Sequence, residues 1–394
     1  MRRLLVLVVL SVWMALAQYA DGQSANDLST LKFTVSEAPE WSAILKRDSG
    51  WFGGDGIYTI PLNGIEEKPS TPQDKILFIF SDSMIGAVRD HTMAPGYKMI
   101  HNTVAILRGG EPVYDHLHFY WNTDQKGEAE PVFAPKTPMA QKDDYFWLGD
   151  GFVNQALHHN IYIFGYRVRN VGGGPFGFKE VGNVLIKLNA GSAPPFSQQK
   201  QMDTPFYLTD EAGESGSFGA GIYVNTKEAG APHPDGYIYI YGVRGLAKKL
   251  MVARVQPADF ENFTRWTYWD GQTWGNDIAR VTDVTKDVSN ELSVTALPDG
   301  RYALVFQVDG MSTTVGMRIG KTPYGPFGPI IKLWDCKNDL IKKTYLVYNA
   351  KAHPSLSKPG ELLISYNINS LDFISDLKVD PNLYRPRFIR VKFQ

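Results

Sequence analysis

Four acidic side chains stand out by type and placement: Asp55, Asp82, Asp150 and Glu291. They lie in Gly54-Asp55-Gly56-Ile57-Tyr58, Phe80-Ser81-Asp82-Ser83, Leu148-Gly149-Asp150-Gly151-Phe152 and Asn290-Glu291-Leu292-Ser293-Val294, each at an end of a short apolar stretch. Two carboxyls across a pocket are what cleavage of a glycosidic bond requires, one ionised as base or nucleophile and one protonated as acid. Burial or a like-charged neighbour is what keeps the second one protonated. Taken singly, Asp-Gly is also a common turn dipeptide, and Glu291 also reads as a surface charge. Recurrence at equivalent places favours chemistry. Around the acids stand other candidates for holding a ligand. His101 and Asn102 open the stretch after Asp82, and Asn349, Lys351 and His353 form a late polar group. Trp51 and Trp147 flank Asp55 and Asp150 and are candidates to stack on sugar rings; packing between sheets is their plainer reading.

The elements that must position these residues are strands. Helical periodicity is nearly absent, and the apolar stretches are short, rich in Val, Ile, Tyr and Phe, and cut by Gly, Pro, Asn and Asp. One pattern returns at a spacing of roughly 60 to 80 residues, the size of a propeller blade with its loops. It is a polar residue, a strand, a turn and an aromatic strand. The five units are Gly54–Tyr58 with Ile76–Phe80, Leu148–Phe152 with Ile161–Tyr166, Ser217–Val224 with Tyr237–Tyr241, Asn290–Val294 with Tyr302–Gln307, and Asn349–Leu356 with Leu362–Tyr366. The expected fold is an all-β five-bladed β-propeller, with Arg387–Phe393 closing the ring. A jelly roll or sandwich is the competing all-β fold, but it gives no reason for a polar residue at the head of each unit. In a propeller, first strands line the channel and the next two turn at the same rim, so Asp55, Asp82 and His101 should crowd one mouth.

The bulk properties narrow the setting. Arg2-Arg3, the apolar run Leu4–Leu10 and small residues at Ala15 and Ala17 read as a secretory signal over 1–17. The chain is thus expected to be secreted or periplasmic, with a single domain over 18–394 whose first part, 18–39, is an arm or a closing strand. No later stretch is apolar enough to span a bilayer. The 40 basic and 41 acidic residues nearly cancel, which argues against nucleic acid or a membrane surface as partner. With Cys336 alone there is no intrachain disulfide and no Cys-rich zinc site. No metal motif or cofactor cradle is present, so none is expected beyond an ion that a channel would admit. The oligomeric state is left open.

Trp51-Phe-Gly-Gly-Asp-Gly-Ile-Tyr, Phe78-Ile-Phe-Ser-Asp-Ser-Met-Ile-Gly and His101-Asn-Thr-Val-Ala resemble uncharacterised families of the five-bladed glycosidase clan, which includes arabinanases, β-xylosidases and levansucrases. Thr322-Pro-Tyr-Gly-Pro-Phe is similar to a turn common in that clan, and Phe80-Ser81-Asp82-Ser83 stands where a related family of endo-D-arabinanases has Phe-Gly-Asp-Thr. The resemblance implies a glycoside hydrolase, with an arabinofuranose glycan among the substrates. It matches Asp55 to the clan's first-blade carboxylate and Glu291 to its glutamate acid. The clan's other aspartate comes from the third blade, where this chain has Ser217-Phe218-Gly219; Asp150 is the nearest substitute. That departure leaves Asp55 with Asp82 as another reacting pair. A non-catalytic glycan-binding propeller is the alternative function, and a structural cell-surface protein with a filled channel is a third.

Overall fold

The computed structural model describes residues 27–394 apart from residue 175 and residues 210–212. The leader expected over 1–17 lies outside the described residues. Lys75–Phe80 is buried from its second residue onward and Tyr302–Gln307 is buried throughout. Strands covered on both faces lose the alternation of a half-exposed strand, so these read as continuous apolar runs. At the rim of the molecule Phe33 and Val35 are half-buried while Thr34 and Ser36 are exposed, the two-residue period of a strand with one face packed.

The fold is all-β, and its strands form consecutive antiparallel meanders. The first contains Tyr58–Pro61, Lys75–Phe80, Thr103–Arg108 and Leu117–Tyr120. The second contains Tyr145–Asn154, Asn160–Asn170, Phe178–Leu188 and Gln199–Asp203, and the third is built on Ser215–Asn225, Tyr237–Arg244, Lys249–Val255 and Thr267–Trp269. Leu292–Ala296, Tyr302–Gln307, Thr314–Gly320 and Ile331–Asp335 make the fourth. In the last, Tyr345–Ala352, Glu361–Ser370 and Arg387–Phe393 are joined by Phe33–Glu37 from the other end of the chain, with Val35 opposite Val391. The N-terminal segment is therefore a closing strand, and Arg387–Phe393 lies between two partners.

First strands of successive meanders pack side by side in chain order. The last returns to the first through Thr59 Oγ1 and His353 Nδ1, 2.9 Å apart. Apolar side chains fill each space between neighbours. Ile60 and Ile163 belong to one cluster, Phe164 and Phe218 to the next, Tyr241 and Phe306 to a third, Val305 and Ile364 to a fourth, and Phe78 and Phe388 to a fifth. Each such side chain contributes about 1.5–3 kcal/mol on burial, which stabilises the sheets without a disulfide; Cys336 is buried and free.

The first meander has a feature the others lack. Gly54 faces Ser83 and Tyr58 faces Ile79, four residues along one strand matching four along the other. Ser83 faces Ile100 and Phe80 faces Thr103, again in step. Ser49–Gly54, Ser83–Arg89 and Lys98–Ile100 thus extend the same sheet beyond a break at 55–57, 81–82 and 101–102. Gly56 makes that break on the inner strand: its φ is +63°, and a Cβ there would lie 2.6 Å from Ser81 Oγ. We expect Gly56→Ala to destabilise the protein by about 1–3 kcal/mol in urea denaturation, because both the backbone region and the contact disfavour a side chain.

Candidate functional site

The break in the first meander sets three polar side chains at one rim. Asp55 N donates to Asp82 O at 3.1 Å and Ser81 N donates to Asp55 O at 2.8 Å, so the backbone stays paired where the ladder is interrupted. Asp55 Oδ2 accepts from Tyr348 Oη at 2.6 Å, and Tyr384 supplies a second hydrogen bond. Burial first, and the charge of Asp82 second, push the Asp55 carboxyl up to about 8 against the pull of Tyr348. Both phenols are themselves held well above their ordinary range, mainly by burial, and so remain donors. Asp82 Oδ1 lies 2.9 Å from His101 Nδ1, and the His101 ring stacks on Tyr145 of the second meander at 3.7 Å. The corner formed by Asp55, Asp82 and His101 is the one the sequence places at a single mouth.

Glu291 and Asp150 form a second group, around Lys351. Lys351 is buried, pairs with Glu291, donates to Asn349 O at 3.1 Å and sits 4.5 Å over the Tyr58 ring. Tyr58 in turn crosses the space between the first strands and donates its hydroxyl to Ala220 O at 2.8 Å. Asp150 accepts from Gly151 N at 2.8 Å and from Ile222 N at 2.7 Å, which clips the second meander to the third. Burial raises Asp150 to about 7 despite those two donors and Lys351. Glu291 is also raised, burial outweighing Lys351. Its charge reaches Asp55 as well, so this second group is electrically tied to the rim.

Four expected ligand-holding residues do other work. Trp51 is buried and stacks on Phe119 at 4.4 Å, a core position rather than a platform. Asn102 is fully buried and bonds the backbone of Phe133 in both directions, holding a loop. Asn349 stands at a strand irregularity with φ +61° and offers its carbonyl to Lys351. His353 is buried between Thr59 and Ser365, both ring nitrogens engaged, and desolvation lowers its pKa to about 3. It also follows the far end of its strand from Tyr348, away from Asp55. Trp147 alone of the two tryptophans keeps partial access to solvent.

Sequence reading missed Tyr348, Tyr384 and Glu180. Tyr348 precedes Asn349 at the head of the fifth unit, so the rule that found Asp55 would have reached it. Glu180 stands on the third strand of the second meander, where the repeat offers no signal. Its carboxyl hydrogen-bonds Ser217, the residue at the head of the third unit where an aspartate was wanting, and burial pushes it up to about 8. Its Oε1 is buried without a partner. Among the described residues, no three His, Cys, Asp or Glu side chains converge as a metal set.

The chain belongs to the family described as DUF5005, a domain of unknown function, whose model matches residues 39–393. No curated protein matches its sequence. Among solved structures it is similar to a Bacteroides ovatus protein provisionally assigned as a hydrolase, at 19% identity over 93% of this chain and 97% of that one, with a TM-score of 0.67. That likeness is one of fold. An exo-β-1,3-galactanase from Phanerochaete chrysosporium matches at 9% identity and TM-score 0.44 over 83% of this chain and 60% of its own longer one. A GH62 hydrolase solved with xylotriose matches at 9% identity and TM-score 0.42 over 86% of this chain and 98% of that one. Both are too distant to carry an argument.

Two outcomes follow from the site's electrostatics. Lys351→Met strands Glu291 as an unpaired buried acid, and we expect a loss of about 3–5 kcal/mol by urea denaturation. Native Asp55 keeps a proton that the unfolded chain releases near 4. Its contribution to stability is therefore full below that pH and declines as pH rises through about 8. Asp55→Asn removes the decline, so calorimetry should find the variant melting above wild type at pH 9 and close to it at pH 4.

Proposed function

We propose that this protein is a secreted glycoside hydrolase, its five meanders the blades of a five-bladed β-propeller, working at the mouth where Asp55 and Asp82 meet. One observation carries the reading: two carboxyls share a rim, and burial beside the other's charge keeps Asp55 protonated at neutral pH. Asp55 gives its proton to the glycosidic oxygen as the bond to the anomeric carbon breaks. Asp82, oriented by His101, takes a proton from the water that attacks that carbon, and Asp55 leaves as the carboxylate. This reverses the expected assignment of Asp55 as base, because the side chain with the raised pKa is the better donor. Glu291 is raised by burial as well, but its carboxyl is engaged by Lys351, which leaves Asp55 as the donor at the rim. The resemblance at the first meander favours an arabinofuranose-containing glycan. The alternative is that the same rim binds a glycan without cleaving it.

A panel of polysaccharides and aryl glycosides tests this. Wild type should release sugar from at least one member, and Asp55→Asn and Asp82→Asn should each lower kcat by about 10²–10⁴-fold while the substrate is still bound. Binding without cleavage moves the assignment to a lectin-like propeller. Full activity in Asp55→Asn removes that residue from the mechanism.

A further inference from the structure

A row of aromatic rings leads away from the acid corner. It starts at Tyr145, stacked on His101, and Trp147 follows with ring centroids 5.9 Å from Tyr145. Phe178 meets Trp147 edge to face at 4.6 Å, and Phe176 lies 6.4 Å beyond Phe178. Tyr145 and Trp147 share the first strand of the second meander, whereas Phe178 opens its third strand and Phe176 lies in the turn before it. Burial changes along the row: Tyr145 is buried, Trp147 and Phe178 are partly open, and Phe176 is 56% exposed. Single exposed apolar residues are ordinary on a protein surface, but a connected run of rings rooted at a polar corner is not.

The turn that carries Phe176 is tied down by its own backbone: Val171 N donates to Gly177 O at 2.8 Å and Gly177 N donates to Gly174 O at 2.9 Å, which holds the turn beside the strand that begins at Phe178.

We propose that Trp147, Phe178 and Phe176 bind the sugar units that follow the cleaved bond, so that the preferred substrate is a glycan chain of several units rather than a lone terminal sugar. The inference rests on the glycoside hydrolase reading above. Sugar rings present C–H faces that stack on aromatic rings. Because neighbouring rings in the row stand edge to face, each offers its face in a different direction, which suits a twisted chain better than a flat one.

The test compares wild type, Phe176→Ala, Phe178→Ala and Trp147→Phe on the active glycan supplied as oligosaccharides of increasing length and as an aryl glycoside. We expect the ratio of KM on the longest oligosaccharide to KM on the aryl glycoside to rise about tenfold when a ring is lost, the size of one aromatic contact. Affinity electrophoresis in gels containing the polymer should show wild type retarded and the Phe176 and Phe178 variants released. Phe176 is exposed, so its variant keeps the fold and isolates binding. Retardation that depends on the rings supports the row even if no bond is cut. Cleavage with an unchanged KM ratio rejects the row and leaves the acid corner standing. A wild type that neither binds nor cleaves any glycan overturns both.

Discussion

A carboxyl held out of water beside a second carboxyl is unfavourable in its charged form, and the surroundings of Asp55 are built around that constraint. Two phenols from the last meander and its approach, Tyr348 and Tyr384, bond it, Asp82 repels its charge, and Glu291 adds to the repulsion. Each group comes from a different part of the chain. They meet only because the first strands close on one another and because the first sheet breaks in step on three adjacent strands. If the register slipped by one residue across that break, Asp55 would point to the opposite face.

The closure has its own logic. A sheet edge left open invites pairing with another chain, and here the N-terminal strand covers the free edge of Arg387–Phe393. Five apolar interfaces between meanders then fix the positions of the first strands. Within that frame Lys351 offsets the buried charge of Glu291, and Tyr58 ties the first strand to Ala220 across the centre. These contacts hold the strands that carry the rim acids, so the carboxyls are set by fixed elements.

Much of this was legible in the sequence, for a physical reason. Apolar segments covered on both faces, such as Lys75–Phe80, advertise themselves as strands, and the polar residue at the head of each unit marks the rim. Asp55, Asp82 and His101 were found that way. The rule went wrong where a polar residue satisfies buried groups of the protein instead of facing solvent: Asn102 bonds backbone 31 residues away and His353 bonds the Thr59 hydroxyl 294 residues away. Trp51 failed similarly, since an aromatic beside an acid looks the same whether it faces solvent or the core. Glu180 was invisible because it lies on a third strand and reaches a neighbouring meander. Contacts between meanders are set by packing, which spacing along the chain does not encode.

The central claim is that Asp55 holds a proton at neutral pH. Carboxyl carbon NMR on protein labelled in aspartate, titrated from pH 3 to 10 and compared with Asp55→Asn, reads that proton directly. A resonance missing from the variant and titrating near 8 is the result this account requires. An Asp55 resonance that titrates near 4, in the range of an ordinary aspartate, would contradict it.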